Sequence, residues 1–397
     1  MGFLSPVIRP MAISSEMERL LREQFGGGST SSGVSVNSDT AMRLITVHNC
    51  VKVLYNCVSQ TPCQLMEEVN GIKNKAKDHY LYRVLGKRPN SWMTAPEFWG
   101  LAIVCVALRG NFYAYKVKVR GEVRELIPIP PDKVQEVVQN PDYSLTYKIL
   151  TTNGIIKEYP QSEIFHLRGM SVNGYTGINM IEQYAREAIG LGIASQKFLS
   201  QFFGKGMHPG VIFKHKMVLD PITHANKMEA LRRKYAGLGN SWETMLVDED
   251  MGVDFPQIRL VDAQFLELGK FNEAQICGMF GVPLMLVQAG DNPTTYASAT
   301  EFKRTFVDMT LAPIFVNFES AADRDCLTSI EQDRYYAKFN LNALLRGNIV
   351  ERFGAYAVGI TNKFMSSNEA RALEDWNPRE GGDVYENPNT STNTSST

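Results

Sequence analysis

Residues 178–203 read INMIEQYAREAIGLGIASQKFLSQFF. The spacing predicts one helix over this stretch, apolar around much of its circumference. A solvent-exposed amphipathic helix would show a cleaner polar face. Small residues stand inside it at Gly190, Gly192, Ala194 and Ser195. A mid-helix glycine costs on the order of 1 kcal/mol against alanine, which close approach of a neighbouring helix can offset. Such a helix is expected to pack on several sides, other subunits included.

Outward from this stretch, residues 208–258 predict a small β-α-β module. Val211-Ile212-Phe213 reads as a strand. Asp220-Pro221 opens a helix containing Met228, Leu231 and Tyr235, which ends at Gly237 to Asn240. Thr244 to Val247 reads as a strand, and Asp250-Met251-Gly252 as a turn. A second long helix is expected over 263–280, with Phe265, Leu268, Ile276 and Met279 on one stripe and Gly281-Val282-Pro283 as its terminator. Residues 288–295 read as a polar loop. A third helix runs over 296–324, with Pro313 well inside it, so a kink is expected there. Tyr335 to Leu341 reads as a strand. Leu344 to Val358 and Ser367 to Glu374 read as helices, with Ser367 as a cap.

Upstream the pattern is mixed. Leu44, Val47, Val51, Leu54 and Val58 predict a helix that Pro62 stops. Thr94, Pro96 and Glu97 open another, which runs to about Arg109 and breaks at Gly110-Asn111. Strands follow at 112–119, 123–129, 147–150, 155–159 and 164–167; Asn153-Gly154 marks a hairpin. Residues 1–40, with Gly26 to Gly33 as a Gly/Ser linker, are expected to be flexible, and 381–397 to be a disordered tail. The fold class is α+β.

Charge narrows the function. Lys and Arg number 41 against 42 Asp and Glu, a net charge of -1. Tight gripping of many phosphates calls for a basic surplus, so contact with DNA is expected to be local and weak. The apolar run 98–108 falls short of the roughly 20 residues that span a bilayer. The N-terminus lacks a signal peptide's basic and apolar regions, and Pro6 breaks a myristoylation motif at Gly2. Cys50, Cys57, Cys63, Cys105, Cys277 and Cys326 form no CxxC pair and read as reduced, mostly buried thiols.

Catalytic motifs are missing: there is no Gly-x-Ser-x-Gly, His-Glu-x-x-His or phosphate-loop pattern. His208, His215 and His224 lack metal-ligand spacing, and Asp248, Glu249, Asp250 and Asp254 read as a charged turn. Lys227, Arg232, Arg233 and Lys234 make a basic helix face, either solvated or a docking surface for an acidic partner or for phosphates.

Several short motifs then occur in a telling order. They include Leu81-Tyr82-Arg83-Val84-Leu85, Arg88-Pro89-Asn90, Leu108-Arg109-Gly110-Asn111-Phe112-Tyr113-Ala114 and Leu126-Ile127-Pro128-Ile129. Further along stand Glu163-Ile164-Phe165-His166-Leu167-Arg168-Gly169, Phe280-Gly281-Val282-Pro283, Phe339-Asn340-Leu341-Asn342-Ala343-Leu344-Leu345-Arg346-Gly347 and Asn368-Glu369-Ala370-Arg371. From about Ile45 to Pro378 the chain resembles the portal (connector) proteins of tailed double-stranded DNA bacteriophages, in the long-tailed lambdoid branch. It departs from them after Gly281-Val282-Pro283, where the family has a second proline and a histidine, then Leu-Leu/Val-Gly, and this chain has Leu284, Met285 and Gln288 instead.

The resemblance implies a ring, usually of twelve subunits, at one capsid vertex, with DNA passing through its channel. It implies a mixed α/β wing at 41–177 and a stem of two helices at 178–207 and 259–287. The clip at 208–258 would face the terminase motor and later the head-tail adaptor. A tunnel loop would lie at 288–295, a kinked helix and wing return at 296–345, and a helical crown at 346–380. Asp291, Asn292, Pro293, Thr294, Thr295 and Tyr296 are expected to touch DNA. Lys227, Arg232, Arg233 and Lys234 are expected to dock the motor or adaptor. Partners implied are the chain itself, double-stranded DNA, the terminase large subunit, the adaptor, and the major capsid and scaffolding proteins, with no membrane. Neither cofactor, metal nor catalysis is implied, since ATP hydrolysis belongs to the terminase. The implied location is the virion, with assembly in the host cytoplasm.

Overall fold

A computed structural model describes residues 30–204, 212–215, 220–222, 226, 229, 251–254, 262–287, 296–344, 349–374 and 376–385. The chain divides into two compact units, residues 1–339 and 340–397.

The first unit opens with α1 (Ser38–Ala41), capped by the Asn37 side chain, which accepts from Thr40 N at 2.7 Å. Then come α2 (Ile45–Gln60), β1 (Cys63–Val69), β2 (Ile72–Lys75), α3 (Tyr80–Gly86) and α4 (Ala95–Arg109). Six strands follow: β3 (Asn111–Val119), β4 (Glu122–Ile129), β5 (Val134–Gln139), β6 (Leu145–Leu150), β7 (Ile156–Pro160) and β8 (Ile164–Arg168). Next are α5 (Met180–Gln183), α6 (Arg186–Gly204), β9 (Ile212–His215), β10 (Met251–Asp254), α7 (Asp262–Phe280) and α8 (Leu284–Val287). The unit closes with α9 (Tyr296–Phe306), a π-helical turn at Val307–Leu311, α10 (Ala312–Cys326), α11 (Ser329–Gln332) and β11 (Tyr335–Phe339).

All strand pairs among the described residues are antiparallel. The sheets run β11-β1-β2, β4-β3-β8, β5-β6-β7 and β10-β9. The α+β class follows from this segregation of helices and open sheets.

Local signals set α4. Thr94 N donates to Glu97 Oε2 at 2.7 Å in a reciprocal capping box, and Gly110 ends the helix at φ 75°. A β-carbon at Gly110 would also collide with the Ile178 carbonyl, so both conformation and packing require glycine there. The buried centre is aromatic. Trp99 packs edge-on to Phe339 at 5.0 Å between ring centres and stacks on Phe318 at 6.0 Å; Phe98 meets Phe112 edge-on at 5.2 Å. The Trp99 indole N–H donates to the Leu85 carbonyl at 3.0 Å, so its polar atom is satisfied. Burying such a ring contributes several kcal/mol.

Helix α10 joins two sheets through their edges. Asp323 Oδ1 accepts from Ala337 N at 2.7 Å, and Glu319 Oε1 from Phe339 N at 2.7 Å, both on edge strand β11. Asp325 Oδ2 accepts from His166 N at 3.0 Å, and Arg324 Nη2 donates to the His166 carbonyl at 2.9 Å, both on edge strand β8. Backbone groups that would otherwise invite edge-to-edge pairing are thereby occupied.

Several expectations need correction. The helix expected over 178–203 breaks in two. The Met180 carbonyl accepts from both Tyr184 N and Ala185 N, and Tyr184 leaves the helical region at φ −123°. Of the turn expected at Asp250-Met251-Gly252, the latter two residues lie in β10, where Met251 pairs with His215 and Gly252 with Lys214. Part of the supposed flexible segment is packed: Thr30 and residues 36–38 are buried. The distortion expected at Pro313 falls one turn earlier, at the π-helical turn, because a proline at the second position of α10 has no N–H to continue the ladder.

The second unit holds α12 (Ile349–Thr361) and α13 (Ser367–Leu373). Arg352 donates to Glu374 through Nε at 2.9 Å and Nη2 at 3.1 Å, and Tyr356 OH adds a third bond at 2.9 Å. The cap of α13 is Ser366, not Ser367: Glu369 N donates to Ser366 Oγ at 3.1 Å.

Candidate functional site

The candidate site is the pair of long helices α6 and α7 with the strands between them. Gly192 explains how the pair approaches. A β-carbon there would lie 2.9 Å from Asn272 Nδ2 on α7 and 2.9 Å from Leu44 Cδ2 before α2. Gly190 is in the same position against Thr30, at 2.6 Å. The glycine penalty expected from the sequence is thus offset by packing. Helix α7 also lies on α2. Cys50 and Cys277 meet at 3.7 Å between sulfurs, and Asn49 Nδ2 donates to the Val287 carbonyl at 3.4 Å.

Inward faces of the pair bury Ile189, Ile276, Cys277 and Phe280. Outward faces carry further apolar groups. Leu191, Phe198 and Leu199 are exposed on α6, and Phe271 on α7 is 61% exposed. Downstream, Phe302, Val316 and Met309, 76% exposed, continue the pattern. Large apolar side chains exposed on a helix whose other face is buried make a surface suited to contact with another chain.

Chemically the described residues form a scaffold. His166 is 1% exposed and lies between Tyr147 OH at 3.1 Å from Nδ1 and Asn111 Oδ1 at 3.0 Å from Nε2. Asn111 Oδ1 also accepts Gly177 N at 2.7 Å, so it acts only as acceptor, Nε2 carries the proton and Nδ1 accepts from the tyrosine. Burial, with Arg168 and Arg324 adding to it, holds His166 well below the usual histidine range. Burial pushes the Cys105 thiol up to about 11 and Cys326 up to about 12. The hydrogen bond to Cys277, with burial, keeps Cys50 protonated too. Such thiols are poor nucleophiles. Among the described residues, no group of three or more His, Cys, Asp or Glu is placed to hold a metal. No helix among them is long and apolar enough to cross a membrane.

Most of the sequence-predicted site residues lie outside the described residues. Asp291, Asn292, Pro293, Thr294 and Thr295 lie outside the described residues; Tyr296 is the first residue of α9. Lys227, Arg232, Arg233 and Lys234 also lie outside them, although residues 221, 222, 226 and 229 around this segment are helical. His208, His224 and residues 244–250 are likewise outside, whereas His215 sits in β9 and Asp254 in β10. Sequence reading missed the exposed Phe198 and Phe271, because periodicity assigns apolar residues to faces without showing which face is covered.

Comparison with known proteins agrees with this architecture. The family model described as phage portal protein matches residues 45–375. The portal protein of Enterobacteria phage HK97 is 25% identical over 355 residues, covering 88% of this chain and 82% of its own. The probable portal protein of Streptomyces phage phiC31 is 26% identical over 370 residues, covering 90% and 79%. Among solved structures, a chain in the neck of an empty GTA particle, computed with C6 symmetry, superposes with a TM-score of 0.59 at 21% identity, covering 94% of this chain and 96% of its own. The match runs through both the mixed α/β core and the long-helix pair, and on that ground the chain belongs to the phage portal protein family and functions in the DNA-packaging ring at the capsid vertex.

Proposed function

We propose that twelve copies close into the ring, with α6 and α7 of each forming its stem and the 208–258 module its clip. The outward apolar residues of the long helices, Phe271 and Leu191 foremost, carry this reading, because a monomer would leave them exposed to water. Family membership over residues 45–375 supports it. Residues 288–295 line the channel, where Asp291 repels phosphate weakly while Asn292, Thr294, Thr295 and Tyr296 make transient, sequence-blind contacts. A net charge of -1 suits a channel that lets DNA slide. Lys227, Arg232, Arg233 and Lys234 dock the terminase large subunit and later the head-tail adaptor, and the wing meets capsid and scaffolding proteins. The chain supplies no catalysis and needs no cofactor; the motor hydrolyses ATP. Assembly takes place in the host cytoplasm.

Deletion of residues 290–295 tests the channel assignment. Rings should form with normal mass while DNA packaging or retention fails. Normal packaging by the deleted ring would move the loop away from the DNA path.

A further inference from the structure

Away from the long helices, α3, the loop after it and the β3–β4 hairpin enclose a cleft of about 530 Å³. Its wall on α3 comes from Tyr80, Arg83 and Val84, which share one face at i, i+3 and i+4. Arg88 enters from the loop. Arg124 enters from β4 at a β-bulge: Val117 pairs with Glu125 and Lys118 with Val123, which leaves Arg124 without an opposite residue. Bulges re-aim side chains, and this one lays the Arg124 guanidinium over the Tyr80 ring, 5.8 Å from its centre. Three guanidinium groups from three elements therefore converge on one concavity, against one lining carboxylate, Glu125.

Their hydrogen-bonding capacity is largely unspent. The Arg83 guanidinium makes no hydrogen bond or ion pair among the described residues, and the Arg88 guanidinium uses one donor, Nη2 to the Ser91 carbonyl at 2.6 Å. Arg124 pairs with Glu122 at the surface. The floor is apolar: Val84 is buried and Val119, 52% exposed, stands beside it. Forked guanidinium donors match planar carboxylates, and an apolar floor matches an aliphatic side chain. A duplex fits this arrangement poorly. It would need a stripe of cations along its length, not a short cleft with valines in its lining.

We propose that this cleft is a docking site for an acidic peptide segment of another protein, with carboxylates on the arginine rim and an aliphatic side chain on the valine floor. The site is independent of the channel and stem assignments, so it can stand or fall without them. The experiment uses the full chain and a fluorescent peptide of alternating glutamate and leucine. Anisotropy should show saturable, salt-weakened binding, and the R83E/R88E variant should weaken it about tenfold or more, since each lost charge-assisted contact is worth roughly that factor. Both arginines are exposed, so the variant's melting temperature should not change. A second variant, Val119→Asn, should weaken the same peptide while leaving charge intact. Equal binding by wild type and R83E/R88E overturns the proposal, as does no binding at millimolar peptide. A lysine–leucine peptide binding equally well also overturns it. If a short DNA duplex binds at Arg83 and Arg88 in place of the acidic peptide, or if R83E/R88E changes only the oligomeric state, the cleft belongs to nucleic acid or to a second copy and the proposal fails.

Discussion

The mixed α/β core and the long-helix pair solve burial in opposite ways. In the core, Phe98, Trp99, Phe112, Phe165, Phe318 and Phe339 are each at most 1% exposed, and the polar atoms among them are satisfied within the chain. Along the pair, Ile189 and Ile276 are just as buried, yet Phe198 and Phe271 on the same helices face outward. One region is finished by its own sequence. The other leaves apolar side chains exposed, and these form the surface proposed above for contact with another copy. Stability of the subunit should therefore reside in the first region and assembly in the second.

The largest effect expected is Trp99→Ala. Loss of the central ring and of its bond to Leu85 should cost about 3–5 kcal/mol in denaturant unfolding, whatever the oligomeric state. An effect below about 1 kcal/mol would mean that the core is not where stability resides. Next is Gly192→Leu, which places a side chain against Asn272 and Leu44. It should separate the helix pair and cost about 1–3 kcal/mol, read as lost amide-exchange protection on α6 and α7 but not on α4.

A third effect is pH-dependent. Folded His166 stays neutral well below its ordinary value of 6.5, while the unfolded side chain takes up a proton there. The unfolded state then binds more protons, so stability falls as pH drops below about 6.5, by up to about 1.4 kcal/mol per pH unit from this group. His166→Gln should flatten that slope. Asp323 acts with the opposite sign: burial pushes it up to about 6, so the folded state holds the extra proton and gains stability as pH falls through 6 toward the ordinary 3.8. Asp323→Asn should therefore steepen the acid-side loss. Smallest in folding terms is Phe271→Ser, expected to change subunit stability by less than about 0.5 kcal/mol while reducing assembly.

Legibility in the sequence followed local chemistry. The capping box at Thr94 and Glu97, the stop at Gly110 and the Asn153-Gly154 hairpin are encoded within a few residues, and the structure has all three. The β1–β2 hairpin is marked equally by Asn70 and Gly71, with φ of 54° and 80°, but the polar second half of β1 lacks the apolar alternation that reads as a strand. Helix α3 is too short for periodicity to show. The break at Tyr184 depends on what Ile181, Ala185 and Ile189 must reach, and that is tertiary. The arginine cleft is not legible for the same reason: Arg83 and Arg88 are near neighbours in sequence, but only the bulge brings Arg124 beside them. For the channel loop and the basic docking face, the sequence supplied the residues and family resemblance supplied the roles.

Native mass spectrometry of the purified full chain tests the division between a finished core and an unfinished stem most directly. At micromolar concentration the wild-type chain should appear as a closed oligomer of its 44.5-kDa subunit, and the Phe198→Ser, Phe271→Ser double variant as a folded monomer with an unchanged melting temperature. A wild-type chain that stays monomeric across salt conditions, or a double variant that still closes into the same oligomer, would contradict it.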